Sequence, residues 1–104
     1  MSVPQISVQQ AATWLSEGVT ILDVRETWEL QLAAVEGARH IPMSQITGRV
    51  GELDPTARVA VLCHHGMRSW QVAMFLAQQG FGDVHNISGG IAAWAELDPG
   101  IGTY

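Results

Sequence analysis

Apolar positions along this chain follow two periods, and the changes between them mark out its elements. Val8, Ala11, Ala12 and Leu15 recur at i, i+3, i+4 and i+7, one face of a helix. Ser7 and Gln10 precede that face at capping-box spacing, and Gly18 is placed to end it. Residues 19–24, Val-Thr-Ile-Leu-Asp-Val, are short, apolar and β-branched, and predict a buried strand. Residues 26–34 predict a short helix, and 39–42 a short strand stopped by Pro42. The stretch 43–53 reads as a short helix and loop closed by the turn signal Asp54-Pro55. Residues 58–63 form the clearest strand, a near-continuous apolar run suited to the centre of a parallel sheet. After a loop at 64–67, the helical period returns over 68–79, with Ser69, Val72, Ala73 and Leu76 on one face and Gly80 as the stop. A last strand at 84–87 is followed by Gly89-Gly90 and a final helix running through Trp94 to Leu97. The tail, 98–104, has too much Pro and Gly for regular helix.

Strands alternating with helices imply an α/β domain with a mostly parallel sheet, whose ligands bind beyond the carboxyl ends of the strands. The segment from Cys63 to Ser69 sits at such an end. At 104 residues the chain is sized for one core, 1–104, without a linker. An apolar fraction of 47% argues against disorder. There is no lysine; the basic residues are Arg25, Arg39, Arg49, Arg58 and Arg68, and the net charge is −5. Nonspecific nucleic-acid binding needs a basic face, so no nucleic-acid partner is expected. An acidic chain that handles an anion must gather positive potential locally, from arginine, backbone N–H groups or a helix N-terminus. Residues 1–7 lack a basic region followed by an apolar run, and no stretch is long enough to span a bilayer, so a soluble cytoplasmic protein without a membrane partner is expected.

The single cysteine excludes an internal disulfide. By default a lone cysteine after a strand is a small buried hydrophobe. Its surroundings, Cys63-His64-His65-Gly66-Met67-Arg68-Ser69, argue otherwise. A buried strand ends at the sulfur, a tight loop follows and a helix begins, so loop N–H groups and the helix N-terminus point at the sulfur. Arg68 adds a permanent positive charge. Together these favour the thiolate, the nucleophilic form. Gly66 supplies the positive φ that such a loop needs.

Cys-x-x-Gly-x-Arg-Ser resembles the active-site loop of the rhodanese family. Leu22-Asp23-Val24-Arg25-Glu26, Gly37-Ala38-Arg39-His40-Ile41-Pro42 and Gly89-Gly90-Ile91-Ala92-Ala93-Trp94 resemble three further segments of that family, in the same order. The resemblance implies a single rhodanese-like domain, a mostly parallel five-stranded sheet flanked by helices on both faces. It also implies a sulfurtransferase. The Cys63 thiolate would attack the outer sulfur of a donor such as thiosulfate, sulfite would leave, and the Cys63 persulfide would pass its sulfur to a thiophilic acceptor such as cyanide or a thiol. Partners would be a small-molecule donor and acceptor, or a protein persulfide donor or thiol acceptor. The alternative is a protein-facing or non-catalytic module that binds or relays persulfide sulfur.

Four residues separate Cys63 from Arg68. Phosphate-handling relatives and protein tyrosine phosphatases use a loop one residue longer, so phosphatase chemistry ranks low. Arsenate reduction does too, because the chain has no second thiol to resolve the intermediate. His64, His65 and Met67 are expected to line the pocket mouth, the histidines adding partial positive charge below neutral pH. Adjacent histidines in a tight loop are expected to project in different directions, so no metal is expected, and no cofactor. Arg68 is expected to bind the donor's anionic end or the persulfide. Ser69 is expected to cap the helix rather than bond near the sulfur. Asp23 and Arg25 are expected to brace the site, and Trp94 to pack the last helix on the sheet.

Overall fold

The computed structural model of the protein describes residues 3–104. Five strands, β1 (Gln5–Ile6), β2 (Thr20–Asp23), β3 (Arg39–His40), β4 (Val59–Leu62) and β5 (Val84–Ile87), form one sheet in the order β1-β5-β4-β2-β3. Every pairing is parallel. The helices are α1 (Val8–Ser16), α2 (Thr27–Leu30), α3 (Ile46–Arg49), α4 (Met67–Gln78) and α5 (Gly90–Leu97), with 3-10 turns at Met43–Gln45, Val50–Glu52 and Pro99–Ile101. The expected fold class, α/β with a parallel sheet, is what the chain adopts.

Side chains alternate across a strand, so a strand buried on both sides feeds two cores. All of β4 is buried. Val59 and Val61 turn to a core shared with Leu22, Val24, Ile46 and α4's Val72, Ala73 and Leu76. Ala60 and Leu62 turn to the opposite core, with Ile21, Ile87, α1's Val8, Ala11 and Trp14, and α5's Ile91 and Trp94. This is the physical reason the 58–63 run reads as continuously apolar. Trp94 is buried against the sheet as expected.

Two elements depart from the sequence reading. β1 was not anticipated: its two residues are too few to show a period, and the strand exists because they pair with Asn86 and Ile87. The helix expected over 26–34 stops after Leu30, because the Leu32 and Ala33 amides both turn back onto the Glu29 carbonyl and the chain then leaves the helical path. Of the capping box, the Ser7 half forms, its Oγ accepting from the Gln10 amide at 3.1 Å. No described helix is long and apolar enough to cross a membrane.

The sheet delivers Cys63 at the carboxyl end of its central strand, and α5 then closes on the loop. The Ile91 and Ala92 amides donate to the Cys63 and His64 carbonyls at 2.9 and 3.1 Å. Gly90, at φ 60°, makes this approach possible: a Cβ there would stand 2.6 Å from the Cys63 carbonyl oxygen and would also run into the His64 carbonyl. Gly90→Ala should therefore force the loop and α5 apart. The expected cost is about 2–4 kcal/mol in urea unfolding, from overpacking and a strained left-handed backbone. A loss below about 0.5 kcal/mol, the size of an ordinary surface change, would show that the close approach is not a constraint.

Candidate functional site

Cys63 is buried, and the loop after it turns two carbonyls toward α5 and one amide toward the sulfur. The carbonyls of Cys63 and His64 point out to α5, while the Gly66 amide points in and donates to Sγ at 3.1 Å. Gly66 has φ 110°, a left-handed conformation that favours glycine, and it is the residue immediately before α4. The expected inward-facing N–H and the expected positive φ thus fall on the same residue.

Ser69 lies three residues into the α4 end of the loop and does not cap the helix, contrary to expectation. The cap position is Gly66, so Ser69 is the third helical residue and its hydroxyl faces inward. The hydroxyl donates to Asn86 Oδ1 at 2.5 Å and accepts from the Cys63 thiol at 3.3 Å. Asn86 in turn donates to the Gly66 carbonyl at 3.2 Å and to Gln5 Oε1 at 2.9 Å. A buried amide with every group satisfied holds both the loop and Ser69 in place. Asn86 was not singled out in the sequence, and the short strand β1 has its use here, bringing Gln5 beside it.

Asp23 and Arg25 form a buried pair that makes no direct bond to the loop. The Asp23 carboxylate accepts from Arg25 Nη2 at 2.7 Å and from Nε at 3.0 and 3.2 Å, and Arg25 is fully buried. The same guanidinium donates to the Ala33 carbonyl at 2.8 Å and to the Tyr104 hydroxyl at 3.0 Å. The His40 ring lies 2.6 Å through Nε2 from the Arg25 carbonyl, which fixes the proton on that nitrogen.

Arg68 is not free at the pocket mouth. Its two terminal nitrogens donate to the two oxygens of the buried Glu29 at 2.7 and 2.9 Å. The Tyr104 hydroxyl gives Glu29 a further hydrogen bond at 2.8 Å. Burial pushes the Glu29 carboxyl up, but the hydrogen bonds from Arg68 and Tyr104 and the charges of Arg68 and Arg25 outweigh it and hold the group below the usual range. The hydrogen bond to Glu29 raises Arg68, and the charges of Glu29 and Cys63 add to that. Glu29 and Tyr104 were both missed: a carboxylate in a short helix and a tyrosine in an irregular tail carry no local signal.

His64 and His65 stack on one another rather than diverge, with ring centroids 4.0 Å apart and planes 23° apart, and Tyr104 stacks on the other face of His64, also at 4.0 Å. Burial lowers the His64 pKa, with the neighbouring charges of His65 and Arg68 acting in the same direction. This shift works against the positive charge expected of His64 below neutral pH. Met67 is 76% exposed beside the loop.

Two measurements follow from these bonds. Ser69→Ala leaves Asn86 Oδ1 buried without its donor and should cost about 1–3 kcal/mol in urea unfolding; an unchanged midpoint would mean that the Ser69–Asn86 bond does not support the loop. Glu29 has a folded pKa below its ordinary 4.5, so the unfolded chain takes up its proton first as the pH falls. The contribution is present in full above 4.5 and lost as pH drops through the folded value, so Glu29→Gln should flatten the acid limb of stability against pH. Parallel acid limbs in the two proteins would contradict the depressed pKa.

Comparison with known proteins agrees with this geometry. A family model described as a rhodanese-like domain matches residues 7–97. The thiosulfate sulfurtransferase GlpE of Pseudomonas paraeruginosa is 30% identical over 95 residues, covering 91% of this chain and 86% of that protein. The putative sulfur carrier protein YrkF of Bacillus subtilis is 35% identical over 89% of this chain, which spans only 51% of YrkF. The crystal structure of reduced Bacillus anthracis CoADR-RHD superposes with a TM-score of 0.89 at 25% identity, over 98% of this chain and 18% of that longer one. With its cysteine at the end of the central strand and its loop clasped by α5, the chain belongs to the rhodanese-like domain family.

Proposed function

We propose that this domain is a cytoplasmic sulfurtransferase that moves a sulfane sulfur from a donor such as thiosulfate to a thiophilic acceptor, cyanide or a thiol, through a persulfide on Cys63. The observation that carries the reading is the Gly66 amide 3.1 Å from Cys63 Sγ, at the end of the central strand. A preorganised N–H stabilises negative charge on sulfur without reorganising, as in an oxyanion hole. The thiolate attacks the donor's outer sulfur. A sulfur–sulfur bond forms to Cys63, the donor's own breaks, and its electron pair leaves on sulfite. The acceptor then attacks the terminal sulfur, and the pair of the breaking bond returns to the Cys63 thiolate. In this scheme Gly66 and Ser69 hold the sulfur, and His64, His65 and Met67 line the approach. Arg68 carries the positive charge nearest the incoming anion, and Asp23 with Arg25 fixes the flank.

A second reading, relay of sulfur from a protein-borne persulfide, is favoured by the exposure of Met67, Trp70 and Trp28 at 76, 43 and 59%. Met67 and Trp70 lie on the loop's helix, and Trp28 packs edge-on against Tyr104, which covers His64. Exposed apolar side chains grouped around a reactive group suit a protein partner.

The test is thiocyanate formation from thiosulfate and cyanide by the intact protein and by Cys63→Ser, with mass spectrometry of the protein after donor alone. The intact protein should gain the mass of one sulfur on Cys63 and turn over, and the serine variant should do neither. Turnover retained by Cys63→Ser would overturn the reading. An adduct that forms only from a protein persulfide would favour the relay.

A further inference from the structure

Charge around the sulfur is compensated pair by pair. Asp23 faces Arg25 and Glu29 faces Arg68, each at 2.7 Å. Burial lowers the His64 pKa and so disfavours a further positive charge there. Arg68, the one guanidinium on the loop's own helix, has both terminal nitrogens engaged by a carboxylate that Tyr104 also holds in place. A donor that used those nitrogens would have to displace Glu29, and would leave that carboxylate buried without its cation. Fork-to-fork pairs of this kind are among the strongest ionic hydrogen bonds, and removing one partner of a buried pair is costly.

Donors differ in how much they ask of that balance. Thiosulfate brings two negative charges up to a thiolate, and sulfite carries two away. A thiol-borne persulfide, R–S–SH, asks less: the thiolate attacks the outer sulfur, the donor's sulfur–sulfur bond breaks with its pair leaving on the thiolate R–S⁻, and the proton stays on the new Cys63 persulfide. We propose that Glu29 is a specificity-determining residue which, by neutralising Arg68, turns the site away from small dianionic donors and toward thiol-borne persulfides. The proposal rests on the sulfur-transfer reading above and acts through Arg68, so Glu29 is a positioning residue and not a catalytic one.

The test compares the rate of Cys63 adduct formation, followed by mass spectrometry, from thiosulfate and from cysteine persulfide. It uses the full chain, Glu29→Gln, Arg68→Met and the double variant, with thermal unfolding of each. Freeing Arg68 should raise the thiosulfate rate relative to the persulfide rate by about tenfold, the order of one charge-assisted hydrogen bond. The gain should shrink as salt is added. In the Arg68→Met background the same substitution should give no gain, which a merely structural role for Glu29 would not predict. The assignment is overturned if both donors change in proportion, or if the gain persists without Arg68. Should Glu29→Gln not fold, Glu29→Asp keeps the charge but shortens the reach; a ratio that stays level or falls in that variant overturns the assignment too. No adduct from either donor in the unaltered protein would instead defeat the sulfur-transfer reading itself.

Discussion

The site depends on where two carbonyl groups point. In a planar peptide the N–H and the C=O lie on opposite sides, so the Cys63 and His64 carbonyls set the planes of the peptides to His64 and His65, and the loop reaches Gly66 from there. Here the Cys63 and His64 carbonyls accept from the first amides of α5, and the Gly66 amide faces the sulfur. Those α5 amides would be unsatisfied at a free helix start, and the loop carbonyls would be unsatisfied in a buried turn. Each set answers the other's need. The loop is therefore only as rigid as the seating of α5, which Ile91 and Trp94 anchor in the core beneath α1. Packing of a distant helix and the path of the loop that follows the sulfur are thus tied together.

Around that core of backbone geometry the electrostatics are conservative. An acidic chain was expected to concentrate positive potential for an anion, and Arg68 is indeed at the loop. Glu29 then takes up both of its terminal nitrogens and is itself held by a hydrogen bond from Tyr104. The remaining stabilisation of a sulfur anion falls to dipoles: the Gly66 amide, and the amino end of α4. Dipoles are local and do not reward a distant charge, whereas an unpaired guanidinium would attract any anion. A pocket built this way responds to the reacting sulfur more than to the rest of the donor.

The sequence made the strand, loop and helix from 58 to 79 legible because those elements are local, and local periodicity carries them. Cys63, Gly66 and the double glycine could be recognised for the same reason. The helical period put Ser69 on the face of Val72, Ala73 and Leu76, where it is buried; only its capping role failed, because Gly66 holds the cap position. Asn86, Glu29 and Tyr104 meet the site from 17, 39 and 75 residues away from their partners Ser69, Arg68 and Glu29. Nothing in a window of neighbouring residues marks a polar side chain as destined for such a contact. The one available hint was Asn86 itself, a polar residue beside the apolar Ile87 in a short strand.

Burial of Cys63 looks at first like an obstacle to transfer, because a sulfur enclosed on the protein side cannot meet a bulky acceptor. On the proposed mechanism the intermediate removes the difficulty. A sulfur–sulfur bond is about 2 Å long, so in this scheme charging the cysteine carries the reactive atom that far from the inner sulfur, toward the approach the proposal assigns to His64, His65 and Met67. The inner sulfur keeps its hydrogen bond to Gly66 and its contact with Ser69. The outer sulfur gains access while the leaving thiolate stays in the site that stabilises it. Holding the nucleophile deep and presenting the cargo shallow separates the two half-reactions by position, and a short loop with one cysteine is enough to do it.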